Sequence, residues 1–237
     1  MSISPIQVLV PFLDLKTQYS AIREEILDAI GQVLDSSQFV GGQWVERFEE
    51  QFAEYVGARY AVATGSGTAA LELVLRAWGL GSGDEVIVPA STFFATAEAV
   101  SIVGATPVFA DVDPETMHLT VASVERCLTP RTKAIIPVHL YGRAMDLTAI
   151  EQLAAHRGLY LLEDACQASG ARLQGVHVGG TGRPACFSFY PGKNLGAYGD
   201  GGAITCNDAA LAQSLRMLRE HGSPKKYHHV AVGTNSR

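Results

Sequence analysis

Between residues 84 and 165 the chain changes its hydrophobic period again and again, and that alternation limits its fold more than any other feature. Four short apolar runs, DEVIVPAS (84–91), TPVFADVD (106–113), TKAIIPVHLYG (132–142) and LYLLEDA (159–165), take turns with segments of helical spacing. Those segments are FFATAEAVSIVG (93–104), SVERCL (123–128) and LTAIEQLAAHRG (147–158). Runs this short and this continuously apolar fit strands buried on both faces. Strands that alternate with helices at this spacing build a mostly parallel sheet with helices on both faces, an α/β fold. Three helices are expected upstream, over 21–36, 45–57 and the segment 64–81, which opens on a Gly/Ser/Thr turn. Downstream, ACFSFY (185–190) and GAITCN (202–207) read as two more strands and 208–222 as a last helix.

The bulk numbers fit such a fold and narrow the function. The chain has 237 residues, 47% hydrophobic and 18% charged, enough for a sizeable core. Its net charge of −6 argues against nucleic-acid binding, which normally needs a basic face. Cys127, Cys166, Cys186 and Cys206 form no CxxC pair and have no histidines at metal spacing, so reduced thiols and no metal site are expected. The apolar run 6–12 is too short for a signal core and no stretch reaches membrane-span length, so no membrane partner and a cytoplasmic location are expected.

In open α/β sheets, ligands bind beyond the carboxyl ends of the strands. That rule selects the chemistry-bearing residues. Lys193 stands in SFYPGKNLGAYGDGG, a segment too rich in glycine and aromatics for an ordinary solvated loop. A lysine there suits Schiff-base chemistry on a carbonyl compound. Asp164, at the tip of the strand 159–163, suits the ring nitrogen of pyridoxal 5'-phosphate (PLP). Read alone, Glu163 and Asp164 fit a solvated strand end better; Lys193 tips the reading the other way. The turn Gly65-Ser66-Gly67-Thr68 at a helix start fits a phosphate cradle and a plain N-cap equally well. Phe93 fits ring stacking or core packing, and Gln167 a ring-facing role or a helix start. Tyr141 and His139 fit substrate contact or structural hydrogen bonds. The segment 216–229, with Arg216, Arg219, His221, Lys225, Lys226, His228 and His229, fits either an anion-binding patch or a solvated helix end.

With these residues placed, the chain resembles the DegT-type PLP-dependent nucleotide-sugar aminotransferases, which share the fold type I architecture. The motifs that carry the resemblance are VPFLDLKTQY (10–19), GSGTAALELVLRA (65–77), GDEVIVPASTFFAT (83–96), PVFADVDPETM (107–117), TKAIIPVHLYG (132–142), EDACQASGA (163–171) and CFSFYPGKNLGAYGDGGAI (186–204). The resemblance implies the large PLP-binding domain of an aspartate-aminotransferase-like fold over 21–237, after an N-terminal segment 1–20. It implies that a C-terminal small domain is missing and that the chain is truncated. It makes Lys193 the Schiff-base lysine and Asp164 the pyridinium partner. Gln167 stands beside the ring oxygen, Gly67, Thr68 and Ser188 hold the phosphate, and Phe93 stacks on the ring. Asn235 reaches the phosphate of a neighbouring subunit in a homodimer with composite sites. The implied reaction moves an amino group from glutamate to a keto-sugar on a nucleoside diphosphate. Related sugar 3-dehydrases carry histidine in place of the lysine, so Lys193 favours transamination. A catalytically silent chain and a PLP-dependent regulator are the alternatives.

Overall fold

The computed structural model describes residues 10–225 and 227–237. Lys226 of the basic segment and the first nine residues of the N-terminal segment lie outside the described residues. Two compact units result, one ending at Val40 and one running Gly41–Arg237. The first is built on one helix, α1 (Leu15–Ser36), whose N-cap Asp14 accepts from the Thr17 backbone N–H at 3.0 Å. None of its residues is buried.

The second unit carries the sheet. Its strands are β1 (Tyr60–Thr64), β2 (Glu85–Pro89), β3 (Thr106–Ala110), β4 (Thr132–Ile135), the pair β5 (Tyr160–Leu161) and β6 (Glu163–Asp164), β7 (Arg172–Leu173), β8 (Val176–His177), β9 (Ala185–Ser188) and β10 (Gly202–Cys206). Its helices are α2 (Gln43–Val56), α3 (Gly67–Ala77), α4 (Ala95–Ile102), α5 (Val121–Cys127), α6 (Thr148–Arg157) and α7 (Ala209–Arg219). The strands pair as β3-β2-β4-β5 and as β6-β9-β10-β1. Backbone bonds from Leu162 N–H to Ile135 O (3.1 Å) and from Asp164 N–H to Pro137 O (2.9 Å) join the two groups along the extension of β4. Within these two groups every pairing is parallel except those of β10, which runs antiparallel to both β9 and β1. The alternation over 84–165 therefore gives the mostly parallel sheet it predicts.

The strand period of two sorts the core. Val62, Val86, Val88, Ala134, Ile136, Leu162, Cys186 and Ile204 face α3, α4 and α7. Ala61, Ala185, Phe187 and Ala203 face α2, while Ile87, Ile135 and Leu161 face α5 and α6. Helices thus cover both faces. On α2, Phe48, Phe52 and Val56 recur every four residues, and Phe52 meets Phe187 edge-on at 5.1 Å between ring centroids. Burying a side chain of that size contributes about 1.5–3 kcal/mol.

Two elements escape the sequence reading. β1 is five residues long and merges into the glycine turn that follows it. The β7–β8 hairpin turns on Gln174 and Gly175, both at positive φ (51° and 84°), as a two-residue hairpin turn requires. β1 is also an edge strand, and its outer backbone groups are covered. Ala63 N–H donates to Glu49 at 2.9 Å, Arg216 donates to Ala61 O at 3.0 Å and Arg219 to Ala63 O at 2.8 Å. Such cover removes an open template for pairing with another chain.

Candidate active site

The carboxyl ends of β1, β2, β4, β6 and β9 lie along one rim of the sheet, and the loops leaving them carry the selected residues. At the end of β6, neighbouring acids part company because successive side chains point to opposite faces. Asp164 points to the α4 side. It is 5% exposed. Its Oδ2 accepts from Thr96 Oγ1 at 2.7 Å and its Oδ1 from Cys166 N–H at 3.1 Å. Among the described residues no cation forms an ion pair with it. The result is a buried carboxylate with neutral donors and an unneutralised charge.

Glu163 points the other way. Thr181, Arg183 and the Gly179 N–H all donate to it, with the Arg183 bond at 3.0 Å. His139 completes the ring of partners at 3.1 Å. The Met145 backbone N–H donates to His139 Nδ1 at 3.0 Å, so Nδ1 is bare and Nε2–H is the donor to Glu163. Burial alone would raise the Glu163 carboxyl; the His139 hydrogen bond and the charge of Arg183 outweigh it and hold the group below its ordinary value of 4.5. His139 is therefore a structural group, 1% exposed, and does not reach the rim. A cavity of about 410 Å³ beside it is lined by Glu163, Arg183 and Glu151, which pair with one another, and by none of the residues gathered around Asp164.

Lys193 occupies a closed loop after β9. Its N–H donates to Tyr190 O (2.8 Å) and Ala197 N–H to Phe189 O (2.7 Å). A Cβ on Gly196 would lie 2.4 Å from Pro191 O, so only glycine fits where the loop folds back. Asn194 pins the loop to Ser169 O at 3.3 Å, over the segment that follows Asp164. Lys193 is half-buried, and no hydrogen bond or ion pair among the described residues claims its ammonium. Cys166 links the two halves. Burial, then the negative charge of Asp164, push its thiol well above the usual value, while the positive charge of Lys193 pulls the other way. One partly buried sulfur thus feels both groups.

The turn before α3 adjoins this sulfur. Ser66 caps the helix, accepting from Ala69 N–H at 3.1 Å. The N–H groups of Gly67 and Thr68 belong to the first turn and have no intrahelical acceptor, and the positive end of the helix dipole lies there. A Cβ on Gly67 would stand 2.7 Å from both Cys166 Sγ and Ser188 Cβ. That close approach brings Gly67, Thr68, Ser188 and Cys166 to one point. The N-cap reading of the turn is realised in Ser66, and the two N–H groups behind it have no acceptor among the described residues.

Phe93, 66% exposed, stands on the loop after β2. Gln167 accepts from the Tyr141 N–H at 2.9 Å, and Tyr141 holds φ of 55° to offer it. That bond occupies the Gln167 oxygen and leaves its NH₂ as donor. Asn235 is exposed; its neighbour Ser236 accepts from Gly65 N–H through Oγ at 3.1 Å. The basic segment does not assemble into an anion patch at its helical end. Arg216 and Arg219 bind the buried Glu49 at 2.9 and 2.6 Å. The sequence reading missed Thr96, whose signal was there to find: Thr92 and Thr96 share one face across the helix start in TFFAT.

An acid, an amine, an aromatic ring and a set of free N–H groups at one rim fit PLP by their donor chemistry. The comparisons with known proteins agree. The chain is 51% identical over 228 residues to UDP-N-acetyl-3-dehydro-alpha-D-glucosamine 3-aminotransferase of Acidithiobacillus ferrooxidans, covering 96% of this chain and 62% of that one. It superposes on the crystal structure of S. venezuelae DesV in complex with a ketimine intermediate with a TM-score of 0.94 at 50% identity, covering 96% of this chain and 62% of that one. For NtdA from Bacillus subtilis with bound cofactor PMP the TM-score is 0.89 at 38% identity, with 96% and 52% covered. The chain thus spans about three fifths of the length of the relatives it matches. The pattern of one family matches residues 20–237, nearly the whole chain, and this chain belongs to the DegT/DnrJ/EryC1/StrS aminotransferase family.

Proposed function

We propose that this chain is the cofactor-bearing part of a PLP-dependent aminotransferase that places an amino group on a keto-sugar carried by a nucleoside diphosphate, with glutamate as donor. One observation carries the reading: the Cys166 N–H holds the buried Asp164 carboxylate, and Gly67, at the open start of α3, packs against the Cys166 sulfur and Ser188. The relative from A. ferrooxidans is named for a UDP-linked 3-dehydro sugar, which supports this substrate class.

Bound in this site, PLP would withdraw electrons from a substrate carbon while that carbon loses or gains a proton. The residues of the chain supply the rest. Asp164 holds a negative charge against the protonated ring nitrogen. Gly67 and Thr68 N–H groups, with Ser188, hold the phosphate at a helix N-terminus. Phe93 would cover one ring face, and the Gln167 NH₂ would donate to the ring oxygen. Lys193 would hold the cofactor's aldehyde carbon, and its Nζ would carry the proton to and from the substrate carbon.

The same reading makes the protein a cytoplasmic homodimer in which Asn235 reaches the partner's phosphate. The exposure of Asn235 supports it. Nucleic acid is no partner in this reading, because the chain is acidic and Arg216 and Arg219 are committed to Glu49. Among the described residues no helix is long and apolar enough to cross a membrane.

The test is a visible-absorbance titration with PLP, then borohydride reduction and peptide mapping. A reduced adduct on Lys193, and amino transfer from glutamate to a panel of keto-sugar nucleotides, is the expected result. An adduct spread over surface lysines would overturn the assignment.

A further inference from the structure

We infer that Thr96, backed by Thr92, is the positioning residue for Asp164. The inference rests on the cofactor reading above. Thr96 sits in the first turn of α4 and is 1% exposed. Its hydroxyl lies 2.7 Å from Asp164 Oδ2, across 68 residues of sequence. An ionised carboxylate only accepts, so the Thr96 proton goes to Asp164. The Thr92 hydroxyl, 2.8 Å from that of Thr96, must then donate to it. The relay has one direction: Thr92 to Thr96 to Asp164. Hydrogen bonds linked head to tail polarise one another, more so where water is scarce.

What the relay does follows from aspartate's own freedom. The carboxyl torsion of Asp is broad and nearly two-fold, so a strand end alone does not fix the plane of the group. Two donors on different oxygens do fix it: Thr96 on Oδ2 and the Cys166 N–H on Oδ1. Both are neutral, so the plane is set without cancelling the charge. The remaining lone pairs keep one heading for a ring nitrogen. The segment TFFAT is then a single unit: its first and last residues orient the acid, and Phe93 between them offers the ring face.

A hydroxyl that merely satisfied a buried acid would affect stability, not ring recognition. The test separates the two with PLP and its deaza analogue, in which a carbon replaces the ring nitrogen. Dissociation constants for both are measured by absorbance in the unaltered chain, Thr96→Ser, Thr96→Val, Thr92→Val and Asp164→Ala. The unaltered chain and Thr96→Ser should prefer PLP equally. Thr96→Val should lose about tenfold of that preference, the usual scale of a hydrogen bond to a charged group. Thr92→Val, which leaves the inner bond in place, should lose about threefold, and decides the matter if Thr96→Val does not fold. Full preference in Thr96→Val, or in Thr92→Val if only that variant folds, together with its loss in Asp164→Ala, would overturn the positioning role and leave the cofactor reading intact. No preference in the unaltered chain would overturn both.

Discussion

Glu163 and Asp164 are chemically near-identical, adjacent and both buried, yet they do opposite things. Glu163 is surrounded by Arg183, His139, Thr181 and a backbone N–H, and its charge is closed off. Asp164 has only neutral partners, the Thr96 hydroxyl and the N–H and thiol of Cys166, and no cation pairs with it among the described residues. The rule that emerges is about neutralisation. A buried acid with a full set of partners and a cation holds two elements together. A buried acid with neutral partners only keeps a field to spend on something that arrives. The same contrast separates the arginines from the lysine: Arg216 and Arg219 are locked on Glu49, while Lys193 is unclaimed.

Four substitutions probe that contrast. The largest effect is expected on the open side. Lys193→Ala should abolish the borohydride-fixed adduct and lower any amino transfer by about 10³-fold or more, within the range for a lost proton-transferring group. Mass spectrometry after reduction reads the first and a coupled assay the second.

On the closed side, Glu163→Gln should cost about 1–3 kcal/mol in unfolding free energy, because it removes the buried charge that Arg183, His139 and Thr181 bond, while Arg183 keeps its pair with Glu151. Cofactor affinity should change far less. The pH dependence has a definite sign. The folded Glu163 carboxyl lies below its unfolded value, so its contribution is complete above about 4.5 and drains away as pH falls through the depressed value. Denaturant melts from pH 7 down to pH 3 should show the Glu163→Gln penalty shrinking in acid. A constant penalty would contradict the closed-charge account.

Gly67→Ala tests the meeting point of the two halves. Its Cβ would require Cys166 or Ser188 to shift, at about 1–3 kcal/mol. PLP affinity should fall by more than stability alone explains, since the phosphate N–H groups move with the backbone. Equal losses in both would mean the turn is only an N-cap.

The smallest effect is expected from Arg216→Ala. Arg216 is partly exposed and Arg219 still pairs with Glu49, so the loss should be about 1 kcal/mol or less. Affinity for a nucleotide-linked sugar should not change; a large drop would restore the anion-patch reading of the 216–229 segment.

Much of this was legible in residues alone. The period change over 84–165 announced the parallel sheet, and glycine and aromatics around Lys193 set it apart from surface lysines. Short elements were harder. β1 offers five residues with no flanking signal of its own, and the β7–β8 strands are two residues each, below the length at which a period of two can be seen. His139 shows a different obstacle. A histidine near a strand end looks the same in sequence whether it meets a ligand or, as here, a buried glutamate.

Sequence by itself determined the order of strands and helices, the loops that leave their ends, and the side chains those loops carry. These are local properties, written in hydrophobic period, glycine placement and motif. It also put Glu163 and Asp164 on opposite faces, because strand side chains alternate. Only the tertiary structure decided which of the two acids is paired with a cation and which is not. That choice depends on α4 bringing Thr96 to Asp164 across 68 residues, and on Arg183 and His139 reaching Glu163 from two other loops. Whether a charge is spent or kept depends on partners distant in sequence, and no local pattern encodes them.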